Sequence, residues 1–386
     1  MDTWATSSIT PRICLAVAQE RAAEIGLYRG EEARPAWEGP MSLRPNAHDI
    51  IRTWDFYTIV RSLYDDGGLP WRDVMISGHA LNPAGRKISK SKLQAATDPL
   101  PTIEQYSADA VRHWTAGTRT GFDTTLPEQA VETGEAFLQG KKLVTKLWSA
   151  ARFVLRHAGG PAGDTAALTP TDRWLLSLLG RTIARATSAF EQYEVAAARA
   201  AVESFFWSDF CDTYLELVKY RLTTAACDGG QSAASTLRAA FLAVIKMLAP
   251  FVPHVTEEIY LLGFAADDGA VSIHLAAWPD AAVYPPDEEA EELGHTMLWL
   301  VDAVRRWKAE RSLSVGAPLA RLEIVCPAEQ LALLRASEQD LRSITRAGEI
   351  VLTAGVTPEI TVVAAPAAKP GGDRTATTPA RRPFQR

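Results

Sequence analysis

The sequence has no apolar run of about 20 residues, and no basic N-terminal stretch leads into a hydrophobic segment. Membrane insertion and secretion are therefore not expected, and a cytoplasmic protein is. Cysteine is scarce. Cys14, Cys211, Cys227 and Cys326 stand far apart, with no Cys-x-x-Cys pair and no matching histidine cluster, so no structural zinc site is expected and no metal-ligating set is assigned. Reduced, mostly packed thiols are the expectation. Positive charge is not in excess either: the formal net charge of −6 offers no global attraction to nucleic acid. Local basic faces can still bind, because phosphates respond to cations within about a Debye length, roughly 8 Å at physiological salt. Such spots occur at Lys141, Lys142, Lys146, Arg152 and Arg156, and at Arg305, Arg306, Lys308 and Arg311; each equally suits the solvated side of a helix.

With 386 residues and 47% hydrophobic content, the chain can bury substantial cores in two or three domains. Residues 1–128 mix extended apolar runs with helical patterns and read as α/β. Phe56, Tyr57, Ile59, Val60 and Leu63 recur near the helical period, which predicts one apolar face against a sheet. Val74-Met75-Ile76 reads as a short buried strand ending at Ser77-Gly78. Residues 129–285 turn helical, with stripes through Leu143, Leu147, Ala150-Ala151 and Val154-Leu155 and through Trp174-Leu175-Leu176, Leu178-Leu179, Ile183 and Phe190. Residues 286–365 read as a helix through Leu298, Val301, Val304 and Trp307, then a small α/β module with strands at Arg321–Val325, Ile350–Leu352 and Ile360–Val363. Residues 366–386 are rich in Ala, Pro, Gly and Thr and read as a disordered basic tail.

Chemistry is named most directly by Gly85-Arg86-Lys87-Ile88-Ser89-Lys90-Ser91-Lys92. Two ammonium groups interleaved with hydroxyls can hold a polyphosphate and stabilise the charge that builds on it during attack at phosphorus. The run also suits a solvated loop, and the segments around it decide between the two readings. It resembles the KMSKS signature of class I aminoacyl-tRNA synthetases, with Ile88 where methionine is usual. Met1-Asp-Thr-Trp-Ala-Thr-Ser-Ser-Ile-Thr-Pro11, Leu43-Arg-Pro-Asn-Ala-His-Asp-Ile-Ile-Arg-Thr-Trp54, Val74-Met-Ile-Ser-Gly-His79 and Ala108-Asp-Ala-Val-Arg-His-Trp114 follow in the order and at about the spacing of valyl-tRNA synthetases.

The resemblance, over about residues 1 to 365, implies a partial Rossmann-like catalytic half, then an α-helical anticodon-binding domain, then the small C-terminal α/β module. It implies ATP with its Mg2+ as cofactor, and valine and tRNA(Val) as partners. Lys87, Ser89, Lys90 and Ser91 would form the catalytic phosphate loop, with Lys90 nearest the developing pyrophosphate. Asp49 would accept the ribose hydroxyls; from the residues alone it equally suits a helix N-cap. Gly78 and His79 would approach the adenine, and Trp4 and Trp54 would wall the valine pocket. The sequence departs from the family pattern at Ala47, where glycine is usual, and at Leu93-Gln94, where Gly-Asn is usual. It contains no HIGH-like tetrapeptide and no editing insertion. An isolated half that needs a separate N-terminal synthetase half is therefore expected, with a noncatalytic tRNA-binding or partner-binding paralogue as the alternative.

Overall fold

A computed structural model describes residues 3–24, 40–82, 84–87, 99–125, 135–158, 167–224, 227–355 and 359–364. Two compact units are formed: residues 1–164, 175–211 and 234–286 make the first, and residues 165–174, 212–233 and 287–386 the second.

In the first unit, helices α1 (Thr3–Ser7) and α2 (Thr10–Glu24) precede strand β1 (Met41–Ala47). A 3-10 turn over His48–Ile50 and a π-helical turn over Ile51–Asp55 lead into α3 (Phe56–Asp66), which connects to β2 (Trp71–Ser77). The strands run parallel, from Met41 opposite Trp71 to Ala47 opposite Ser77, as a crossover helix requires. Gly67 ends α3 in the left-handed region at φ 71°, and its N–H donates to the Leu63 carbonyl.

The periodic apolar face expected on α3 is present, but it does not pack as expected. Phe56 is 55% exposed and Leu63 49%, whereas the buried residue of this helix is Thr58. Val74, expected in a buried strand, is also exposed. Periodicity reports which face is apolar; what covers that face is a separate matter.

Strand β3 (Ala80–Leu81) pairs in parallel with β4 (Thr124–Thr125). Between them lie α4 (Pro99–Tyr106) and α5 (Ala108–Ala116), the latter capped by the Ser107 side chain, which accepts from the Ala110 N–H. The unit's core is helical: α6 (Glu135–His157), α7 (Pro170–Glu191, whose first turn lies in the second unit), α8 (Val195–Ser204), α10 (Gly230–Leu248) and α11 (Pro253–Gly263). A π-helical stretch, Phe205–Tyr214, runs from α8 into α9 (Leu215–Thr223). Phe206 stacks on Phe210, Phe210 on Phe241, and Phe241 packs against Phe264, all buried.

Two segments singled out in the sequence meet here. The Asp109 carboxylate of α5 accepts from the backbone N–H groups of His254, at 3.1 Å, and Val255, at 2.8 Å, at the start of α11. Arg112 donates to the Pro250 carbonyl at 2.9 Å. The orphan amides of α11 thus find their acceptor on another helix.

In the second unit, α12 (Glu288–Glu310) opens with Asp287, whose side chain accepts from the Ala290 N–H. Strand β5 (Leu319–Cys326), helices α13 (Leu331–Ala336) and α14 (Glu338–Thr345), and strands β6 (Ala347–Ala354) and β7 (Glu359–Ala364) complete it. The sheet order is β6-β5-β7, with β5 parallel to β6 and antiparallel to β7. The three strands read from the sequence are all present, and Leu322 and Ile324 are fully buried.

Charge is buried in this unit. Arg221 donates to Asp340 (Nε at 2.8 Å, Nη2 at 3.1 Å) and to Asp172 (Nη2 at 2.8 Å, Nη1 at 3.1 Å), and Tyr214 donates its hydroxyl to Asp172 at 2.7 Å. One guanidinium serves two carboxylates, and burial pushes the Asp340 carboxyl up against the pull of Arg221. Lys308, grouped in the sequence with a basic surface spot, is buried instead. Its ammonium donates to the carbonyls of Val315 at 2.8 Å and Thr345 at 2.9 Å, the latter the last residue of α14.

Candidate functional site

Ala47 and Ser77 are the last paired residues of two parallel strands, so the segments that follow them leave the sheet on the same edge. Asp49 lies in the 3-10 turn after β1, and Gly78 and His79 follow β2. Asp49 does not cap this turn: Ala47 occupies the cap position, and no side chain bonds there. The backbone at Ala47 is extended, at φ −82°, so this site imposes no glycine-only conformation.

Lys87 is brought to the same place by a short turn. The Asn82 N–H donates to the Arg86 carbonyl, the Asn82 side chain accepts from the Arg86 N–H, and Gly85 takes φ 70° between them. Lys87 then bridges back to Leu81 in antiparallel fashion. Its ammonium donates to Asp49 Oδ2 in a short ion pair, which holds the Asp49 carboxyl below its ordinary range. His79 Nε2 lies 3.6 Å from Asp49 Oδ1, and the His79 ring packs against His48 with centroids 4.6 Å apart. Ser89, Lys90 and Ser91, together with Ile88 and Lys92, lie outside the described residues.

Gly78 has a reason of its own. A Cβ there would fall 2.0 Å from the Phe122 carbonyl oxygen, so the glycine admits the chain's own backbone. The next residue is held by Asp123, which sequence reading missed: its carboxylate accepts from the His79 N–H at 2.7 Å, and the Thr124 N–H donates to the His79 carbonyl at 2.8 Å. A side chain that serves a backbone amide leaves no motif.

Trp4 and Trp54 lie on neighbouring elements, α1 and the π-helical turn before α3, and each has partners of its own. Trp4 stacks on Tyr57 at 6.3 Å, whereas Trp54 donates its indole N–H to the Ser7 carbonyl at 2.9 Å and carries the Arg44 guanidinium 4.2 Å from its ring centroid. Arg44, also missed, lies 3.5 Å from buried Asp55 and 5.5 Å from the Trp71 ring centroid. A cavity of about 570 Å³ lies beside these helices, lined by Ser8, Pro11, Pro40, Thr58, Asp66 and Pro70. Pro40 and Pro70 immediately precede β1 and β2, so this space is at the opposite end of the strands from Asp49.

Comparison with known proteins decides the family. Residues 1–127 match the model of class I tRNA synthetases (I, L, M and V), and residues 172–324 match the anticodon-binding domain of tRNA ligases. The chain belongs to the class I tRNA synthetases. Among curated relatives, this synthetase chain is 38% identical to a valine–tRNA ligase of Anaplasma marginale over 94% of its own length and 42% of the relative's. It is 37% identical to that of Wolbachia pipientis wMel, covering 91% and 39%, and 37% identical to that of Thermococcus kodakarensis, covering 88% and 37%. The chain thus spans about two fifths of the length of the relatives it matches. A crystal structure of a ternary complex of Agrobacterium radiobacter K84 LeuRS superposes with a TM-score of 0.48 at 19% identity, covering 65% of this chain and 29% of the other.

Proposed function

We propose that this chain supplies the C-terminal part of a valine–tRNA ligase. The observation that carries the reading is the convergence of Asp49, His79 and Lys87 beyond the ends of two parallel strands, in a chain so similar to valine–tRNA ligases. Activation joins the valine carboxylate to the α-phosphorus of ATP and expels pyrophosphate, work done mainly by positioning and by cations on the phosphates. A carboxylate beside an ammonium suits the two ends of a nucleotide: Asp49 accepts from ribose hydroxyls, and Lys87, with Ser89, Lys90 and Ser91, holds phosphate. Mg2+ enters with the ATP phosphates. Gly78 and His79 line the adenine side, and Trp4 and Trp54 the valine side. Residues 129–285 bind tRNA(Val), and the reaction is cytoplasmic; no described helix is long and apolar enough to cross a membrane.

The other half of the site comes from an N-terminal synthetase half. The exposed apolar side of α3 supports this, as does the two-stranded parallel sheet, since parallel sheets are ordinarily covered on both faces. Alone, the chain is expected to give little or no valine-dependent exchange of pyrophosphate into ATP. Adding the N-terminal half restores exchange, and Lys90→Ala removes it again; robust exchange by the chain alone would sink the half-enzyme reading.

A second reading, a noncatalytic tRNA-binding or partner-binding paralogue, is favoured by the basic aromatic face of α6, where Lys146 lies 5.5 Å from the Trp207 ring centroid beside Lys141 and Lys142. Filter binding with tRNA(Val) and a noncognate tRNA tests it: retention of tRNA without restored exchange supports the paralogue, and indifference to both tRNAs removes it.

A further inference from the structure

We infer that Asp49 is an exchange point: without ligand it holds Lys87, and a nucleotide's ribose takes the carboxylate and releases the ammonium to the phosphates of the same ligand. The inference rests on the nucleotide reading above and adds to it a coupling between the two ends of the ligand.

The two neighbours of Asp49 differ in freedom. His79 is fixed on three sides, by Asp123 at its N–H, by Thr124 at its carbonyl and by His48 at its ring. Lys87 is fixed only in its backbone, through the bridge to Leu81, and its flexible stem carries an ammonium whose side chain is 52% exposed. One oxygen of Asp49 therefore faces an immobile ring, and the other is taken by a cation that can leave. A vicinal diol offers two O–H donors and needs carboxylate lone pairs in the region Lys87 occupies. Ribose and ammonium compete for Oδ2, so a nucleoside must displace Lys87, and a nucleoside triphosphate displaces it and also supplies it with a more highly charged acceptor. Lys87 is on this account a phosphate-binding residue whose partner reports whether the ribose site is filled.

The competition is between exposed groups, with Asp49 41% exposed, so the effect is modest: removing a surface ion pair of this kind changes an affinity by about two- to five-fold. The test compares adenosine, 2′,3′-dideoxyadenosine and ATP, titrated calorimetrically into the full chain and its Lys87→Met variant, with circular dichroism as the folding check. Adenosine should bind the variant about two- to five-fold tighter, dideoxyadenosine equally to both proteins, and ATP more weakly to the variant. Adenosine affinity that is unchanged or reduced in the variant, or ATP affinity that does not fall, overturns the exchange and leaves the nucleotide site standing. A wild-type chain that binds neither adenosine nor ATP, both alone and with the N-terminal half added, overturns both.

Discussion

Of the β-α-β units among the described residues, the first and the last differ in what covers them. In the C-terminal one, α13 and α14 join the parallel strands β5 and β6, and Leu322, Ile324, Leu334 and Leu341 are fully buried, with β7 extending the sheet on its other edge. In the N-terminal one, α3 joins β1 and β2, but Phe56, Tyr57 and Leu63 are exposed, and among the described residues the sheet has two strands. The same local design therefore gives a finished module in one place and an uncovered one in the other. A two-stranded sheet is marginal alone, and a third strand with a packed helix is what makes such a unit independent. The comparison assigns the chain's own stability to the buried cores and its unmet packing demand to the segment carrying the candidate site.

The largest effect that would sharpen this contrast is at Arg221. Replacing it with methionine leaves Asp172 and Asp340 buried without their counter-charge, and should cost about 3–5 kcal/mol in denaturant unfolding of the second unit. Lys308→Met should cost less, about 1–3 kcal/mol, because it strips a donor from the carbonyls of Val315 and Thr345 and uncaps the crossover helix. An Asp340→Asn variant tests the pH linkage. Burial raises the Asp340 carboxyl above its unfolded value, so its contribution is fully present below the ordinary aspartate range and is lost as pH rises through the folded value. The stability difference between wild type and variant, followed by thermal melting from pH 3 to 7, should move against the wild type as pH rises. At the small end, Phe56→Ser and Leu63→Ser should change the stability of the isolated chain by no more than about 0.5 kcal/mol. A loss of several kcal/mol at either position would break the comparison, because those side chains would then already be packed.

Much of the second module was legible in the sequence. Alternation along Leu319–Cys326 and the apolar runs of β6 and β7 are period-two signals with one buried face. At the candidate site, the sequence brought out Asp49, Gly78, His79 and Lys87 through their place in the motifs. It could not tell that Lys87 would settle on Asp49, or that Asp123 would hold His79, because partners 38 and 44 residues apart are chosen by the fold. The burial of Lys308 was hidden for a similar reason: in a run with Arg305, Arg306 and Arg311 it reads as surface, yet its helical phase matches Val301 and Val304 on the inner side of α12.

The Asp109 contact has a consequence for how such chains are divided. Residues matched to the synthetase model and residues matched to the anticodon-binding model share this carboxylate's hydrogen bonds, with the acceptor in one and the amides of His254 and Val255 in the other. Two pieces recombined at the border between those models would each inherit a broken end: an acid without amides and a helix start without an acceptor. Homologous pieces could be exchanged there only if both sides brought matching partners, so the border marks separate descriptions and not a seam along which evolution can freely shuffle parts.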